Sequence, residues 1–191
     1  MRQSAPVLTD WLLDHPWASP TVLAALVALG PLVGSWSAGR RRLTAWLAGA
    51  ALLPVALLTL LPVDSGTGLV QCTVQWALPT LGRVELLANL LLFVPPALLA
   101  TVATRRPIVV LVGGSLLSAV VEASQALVVD IGRACDTTDW LCNTLGVGLG
   151  VALGIAALAL HRRGRPAPPE RRRLSPAAPA APPAPGRTPA P

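Results

Sequence analysis

Five apolar runs, each about 20 residues long, constrain this fold more than any other feature of the chain. A helix of roughly 20 apolar residues crosses a hydrocarbon layer about 30 Å thick. A backbone inside lipid must satisfy its own hydrogen bonds, which requires helices here because the alternating pattern of a β-barrel is absent. The sequence therefore predicts an all-α, polytopic membrane helix bundle with about five transmembrane helices, over Trp17 to Ser37, Leu43 to Leu61, Val84 to Ala103, Pro107 to Val129 and Trp140 to Leu160.

Charged residues are scarce, at 13% of the chain against 53% hydrophobic residues. The formal net charge of +6 does not indicate a nucleic-acid partner, because the arginines flank the apolar runs instead of covering one polar face. Cytoplasmic loops carry an excess of basic residues. We expect the N-terminus outside and the C-terminus inside, in a multi-pass protein of the cell (plasma) membrane, from the clusters Arg40 to Arg42, Arg105 to Arg106, and Arg162, Arg163 and Arg165.

Both ends of the chain lie outside the predicted transmembrane domain of residues 17–160. Residues 1–16 are predicted to form a short extracytoplasmic segment. Asp10 and Asp14 stand where a signal peptide would have a basic region, which argues against cleavage. Residues 161–191 are rich in Pro, Ala and Arg, a composition that predicts a disordered cytoplasmic tail.

Three pairs of polar residues lie on single helical faces near one end of the predicted spans. An ionisable side chain at the centre of a transmembrane helix costs about 2.5 to 3.5 kcal/mol, so such groups are expected to find partners. At about 1.5 Å per residue, Glu122, Asn89 and Asn143 all lie about 5 to 8 Å below the predicted outer boundary. The three pairs are Glu85 with Asn89, Glu122 with Gln125, and Asp139 with Asn143.

The loop between the fourth and fifth runs is expected to cover these pairs. Arg133 and Asp136 lie in it, and Arg133 would supply a counter-charge for Glu122. The groups form either a site for a ligand that arrives from the outer leaflet or a hydrogen-bonded network that only fixes helix register. The sequence leaves both interpretations open.

Glycine and proline positions predict how the helices pack. Gly146, Gly150 and Gly154 form one stripe of small residues on the fifth span, which is typical of close helix contact. Pro54 and the Pro95 and Pro96 pair are predicted to bend the second and third spans, because each proline removes a helix hydrogen bond.

The three cysteines are assigned by the predicted topology. Cys72 and Cys135 both fall in external loops, where an oxidising environment permits a disulfide between them. Cys142 falls inside the fifth span and is interpreted as a packing residue. His15 and His161 lie on opposite sides of the membrane and no Cys-x-x-Cys occurs, so no metal site and no cofactor are predicted.

Three sequence blocks resemble the VanZ-like family: the acid and Asn before Phe93 and Pro95, the Glu-x-x-Gln at Glu122, and the Arg-x-x-Asp-x-x-Asp-x-x-x-Asn-x-x-Gly that starts at Arg133. The resemblance covers Leu43 to about Leu160. The family takes its name from a protein that gives low-level resistance to the glycopeptide antibiotic teicoplanin. For this chain the resemblance implies a cell-envelope role, with a lipid-linked cell-wall precursor or a lipophilic glycopeptide, besides membrane lipid, as its partner.

Two classes of function follow from these observations. In the first, the chain binds or shields an envelope ligand through Glu122, Arg133, Asp136 and Asp139. In the second, it is an intramembrane enzyme that acts on an envelope lipid, with Glu85 or Glu122 as general acid or base and the two aspartates holding a divalent cation. A transporter is a third class, for which five spans are few.

Overall fold

The computed structural model describes residues 11, 14–60, 72–80, 82–128 and 135–164. Within this part of the chain, five helical spans are long and apolar enough to cross a membrane, and the second of them is Arg41–Leu60. The prediction of a polytopic all-α bundle with about five transmembrane helices is confirmed. The helices are α1 (Ala18–Ser37), α2 (Arg41–Ala50), α3 (Leu52–Leu60), α4 (Val84–Thr104), α5 (Pro107–Leu127) and α6 (Thr137–Arg163), with two short strands, β1 (Cys72–Thr73) and β2 (Cys135–Asp136).

Helices α4 and α6 form the core of the bundle, since half or more of the apolar segment of each is buried, against 11% for α5. The two helices run parallel. A Cβ atom added at Gly150 would lie 2.5 Å from the Val94 carbonyl oxygen, and one added at Gly154 would lie 2.7 Å from Thr101 Cβ. Only glycine permits such close backbone approach, so the stripe that begins at Gly146 packs α6 against α4.

The remaining helices surround this pair. Helix α1 uses glycines in the same way, because a Cβ atom at Gly34 would lie 2.7 Å from Ala157 Cβ on α6. Val55 on α3 belongs to a buried cluster with Phe93 on α4 and Val147 on α6. Most large apolar side chains of α5 point outward, which is expected of a helix that faces lipid.

The second span is interrupted at Ala51, between α2 and α3. Proline at position 54 has no N–H to donate to the carbonyl of Ala50, four residues earlier, so the helical ladder ends there. The bend predicted near Pro54 therefore takes the form of a break one turn before it. Helix α4 continues through Pro95 and Pro96 without a break.

The bundle has two chemically different ends. We call the end that carries β1 and β2 the strand end, where α4 and α6 begin and α3 and α5 finish. The opposite end is the arginine end, where Arg41 Nε donates to the Ala103 carbonyl at 3.0 Å and where the arginine clusters before α2, before α5 and at the end of α6 lie. The side of the membrane that each end faces stays a prediction.

Candidate functional site

A disulfide between Cys72 and Cys135 holds the strand end together. It joins β1 to β2, which pair in parallel with Cys72 opposite Cys135 and Thr73 opposite Asp136. The bond is the one predicted from the sequence. It fixes the segment that follows α3 against the segment that leads into α6, and so it positions Asp136 relative to the bundle.

Gln75 extends this connection beyond the strands. Its N–H donates to Thr137 Oγ1 at 3.0 Å, and the Thr137 hydroxyl donates back to the Gln75 carbonyl at 2.5 Å. The Thr138 hydroxyl donates to the same carbonyl at 3.0 Å. The Gln75 side-chain amide donates to Asp136 Oδ2 at 2.5 Å. Gln75 is therefore tied to the first turn of α6 by three hydrogen bonds and to the residue before that helix by a fourth.

Asp136 is the N-cap of α6. Its Oδ1 accepts a hydrogen bond from Thr138 N at 2.8 Å, which satisfies one of the free N–H groups of the first helical turn and places negative charge at the positive end of the helix dipole. The Asp136 N–H donates to Glu122 Oε2 on α5 at 3.1 Å. Asp136 thus connects β2, the start of α6 and the Glu122 carboxylate.

Asn89 and Asn143 form two separate contacts below this cap. Asn89 Nδ2 on α4 donates to Asp139 Oδ1 on α6 at 2.6 Å. Asn143 Nδ2, one turn deeper on α6, donates to Ser118 Oγ on α5 at 3.0 Å. Among the described residues, Asn143 Oδ1 is buried without a hydrogen-bond partner.

Gln125 contacts a different part of the bundle from the other predicted residues. Its Nε2 donates to the Thr59 carbonyl on α3 at 2.9 Å, and the contact is buried. This bond holds α5 against the end of α3. The predicted counter-charge, Arg133, lies outside the described residues.

Two cavities open on either side of Asp136. The first, which we call the polar cavity, has a volume of about 460 Å³. It lies between the start of α4 and the start of α6. The side chains that give it its polar character are Gln75, Arg83, Glu85, Asp136, Thr138 and Asp139.

The second, which we call the tryptophan cavity, has a volume of about 340 Å³ and lies between α5 and the start of α6. Trp76 and Trp140 line it together with Glu122, Asp136 and Thr137. The Trp140 ring is held in place by a hydrogen bond from its Nε1 to the Ser115 carbonyl at 3.3 Å. The sequence analysis did not identify Gln75, Trp76 or Trp140 as residues of the site. For Gln75 and Trp76, their position shortly after Cys72 was the sequence feature that could have indicated it.

A family model described as VanZ/LLP1 matches residues 21–159 of the chain. The matched range includes every residue that lines the two cavities, and it confirms the resemblance seen in the sequence. Comparisons with curated proteins and with solved structures find no match.

Proposed function

We propose that this chain, which belongs to the VanZ/LLP1 family, is a cell-membrane protein that binds or shields a cell-envelope ligand at its strand end. The ligand would be a lipid-linked cell-wall precursor or a lipophilic glycopeptide antibiotic, and low-level teicoplanin resistance is the phenotype to test first. The predicted topology places the strand end on the outer face, where both kinds of ligand would approach.

The concentration of carboxylates around the two cavities carries this proposal. The whole chain contains nine Asp and Glu residues, and four of them line these cavities: Glu85, Glu122, Asp136 and Asp139. Ionisable groups within transmembrane segments are costly unless they have partners, and they commonly mark functional sites. A purely structural network would account for the cap at Asp136 and for the Asn89 to Asp139 bond, but it leaves two cavities of several hundred Å³ beside them.

Exposed charges at the polar cavity favour a ligand-binding role over a purely structural one. Glu85 and Arg83 line this cavity, and both side chains are exposed. Surface charges of this kind contribute little to stability. Charges of both signs beside open volume suit a zwitterionic or hydrogen-bonding head group, with its apolar part left in the surrounding lipid.

The test compares three variants of the full chain in nanodiscs, with binding of teicoplanin and of a polyprenyl-diphosphate-linked precursor as the readout. Glu85→Gln and Glu122→Gln should weaken binding about tenfold or more, since each removes a charged hydrogen-bond partner. Glu122→Gln keeps the fold because its amide oxygen still accepts the bond from Asp136 N–H. Gln125→Leu is the matched structural control, and it should lower stability without changing affinity.

The outcome separates the two interpretations of the network. If Glu85→Gln and Glu122→Gln leave both affinities and teicoplanin tolerance unchanged, or lower only the abundance of the protein, the residues are structural and the proposal is wrong.

A second candidate function is an intramembrane, carboxylate-dependent enzyme that acts on an envelope lipid. It is favoured by the three carboxylates, Glu85, Asp136 and Asp139, that share the polar cavity. Within the described part of the chain, no group of three His, Cys, Asp or Glu side chains has the spacing of a metal site. Analysis of products after incubation of the purified chain with polyprenyl-linked lipids distinguishes this function from binding alone.

A further inference from the structure

The tryptophan cavity combines aromatic rings with negative charge. The rings of Trp76 and Trp140 are 77° from parallel, and their centroids are 6.4 Å apart. Two perpendicular rings at this separation form the corner of a box. A cation in the angle between the two rings would lie about 4.5 Å from each centroid, which is within the range of about 6 Å for a cation–π interaction.

The surrounding structure holds the Trp140 ring and the backbone next to Trp76. Trp140 is fixed by its bond to the Ser115 carbonyl. Trp76 follows Gln75, whose backbone bonds to Thr137 and Thr138 hold it against α6. A ligand that enters the cavity therefore does not have to order the Trp140 ring, which reduces the entropic cost of binding.

Carboxylates supply the charge that such a box requires. Glu122 and Asp136 line the same cavity as the rings. Glu122 is half-buried, so its attraction for a cation is screened less than that of a surface carboxylate. Its Oε2 accepts one hydrogen bond, from Asp136 N–H, whereas a carboxylate offers about four lone-pair sites. The Glu122 carboxylate therefore has lone pairs left for a cationic ligand.

We propose that the tryptophan cavity binds an organic ammonium group, carried by a lipid head group or by a free amphiphile, between Trp76, Trp140 and Glu122. This inference rests on the proposed function, because it names the chemical class of the head group that the strand end recognises. An aromatic corner beside carboxylates is the arrangement by which proteins select ammonium cations over neutral groups of the same shape.

The experiment compares choline with 3,3-dimethylbutanol, its neutral isostere, by saturation-transfer NMR on the full chain in phosphatidylglycerol nanodiscs, which contain no ammonium lipid. Choline should bind more tightly than the isostere by about two- to thirty-fold. The ratio of the two affinities should fall in Glu122→Gln, which removes the negative charge, and in Trp76→Leu, which removes one ring, while Trp76→Phe should retain most of it. Trp46→Leu is the matched control, because Trp46 is 77% exposed and Trp76 is 64% exposed, but Trp46 lies on α2 away from the cavity.

Repeating the titration in phosphatidylcholine nanodiscs identifies the source of the ammonium group. Loss of choline binding there shows that lipid head groups occupy the cavity, and unchanged binding shows that a free ligand does; both results support an ammonium site. Equal affinity for choline and its isostere, no detectable choline binding, or a normal ratio in Trp76→Leu would overturn the inference. Teicoplanin or precursor binding that still depends on Glu85 would then leave the proposed function intact.

Discussion

Replacement of Gly150 by alanine tests whether the close approach of α4 and α6 sets the geometry of the strand end. The added Cβ atom would lie 2.5 Å from the Val94 carbonyl oxygen, whereas ordinary contact begins at 3.4 Å, so α4 must move away by about 0.9 Å. If α4 moves as a rigid body, the Asn89 to Asp139 bond lengthens from 2.6 Å to about 3.5 Å, beyond hydrogen-bond range.

The expected cost of this change is about 1 to 3 kcal/mol of unfolding free energy, the usual range for overpacking a tight interface. Gly148 provides the matched control. It lies two residues earlier on α6, and a Cβ atom there meets nothing within 4 Å. Gly148→Ala should therefore be neutral, or stabilising by up to about 1 kcal/mol from helix propensity.

The chain carries its own reporter of unfolding. Of its three cysteines, two form the disulfide and Cys142 is free and fully buried. A thiol-reactive dye in detergent therefore reads the exposure of Cys142 as temperature rises. Gly150→Ala should unfold at a lower temperature than the wild type and bind ligand more weakly. Equal midpoints for Gly150→Ala and Gly148→Ala would refute the steric argument.

Three further predictions concern the strand end and its orientation. Cys72→Ser should lower the free energy of unfolding by about 2 to 4 kcal/mol. Alkylation of the denatured wild type should label only one cysteine unless reductant is added; three equally reactive thiols without reductant would contradict the disulfide. Asn143→Leu should cost less stability than Asn89→Leu in the dye assay. Asn143 carries a buried oxygen that has no hydrogen-bond partner among the described residues, so its loss removes an unfavourable group, whereas loss of Asn89 deprives the Asp139 carboxylate of a donor. The reverse order of stabilities would contradict this reasoning. A reporter fused between α5 and α6 should lie outside the cell, and one fused between α4 and α5 should lie inside. The opposite pattern would disprove the predicted topology.

The spans were predictable from the sequence because apolar length alone determines whether a segment can cross lipid. Their ends were less so. Helix α6 begins at Thr137, three residues before the predicted start at Trp140, because the Asp136 side chain caps the helix and hydropathy does not register a cap. The break at Ala51 follows from Pro54, but the sequence did not show whether that proline would bend the helix or interrupt it.

The site was predicted in part. Asn89, Glu122 and Asp139 were recognisable because ionisable and amide groups in apolar runs need partners. Their actual partners were not predictable, since Asn89 meets Asp139 and Glu122 meets the backbone of Asp136. The contribution of Gln75 depends on the β1 and β2 pairing, and strands of two residues have no periodic pattern in the sequence.

Asp136 links the stability of the bundle to events in both cavities. It caps α6, holds Glu122 through its N–H and accepts a bond from Gln75, and its side chain lines both cavities. A ligand that contacts this residue in the folded state stabilises that state by mass action, by about 2.7 kcal/mol at a concentration of 100 times Kd. The exposure of Cys142 on heating should therefore detect ligands of the strand end directly, and Asp136→Asn should weaken both the starting stability and the ligand-induced shift. A substitution at Gln125, which lines neither cavity, should lower only the starting stability and leave the ligand-induced shift unchanged.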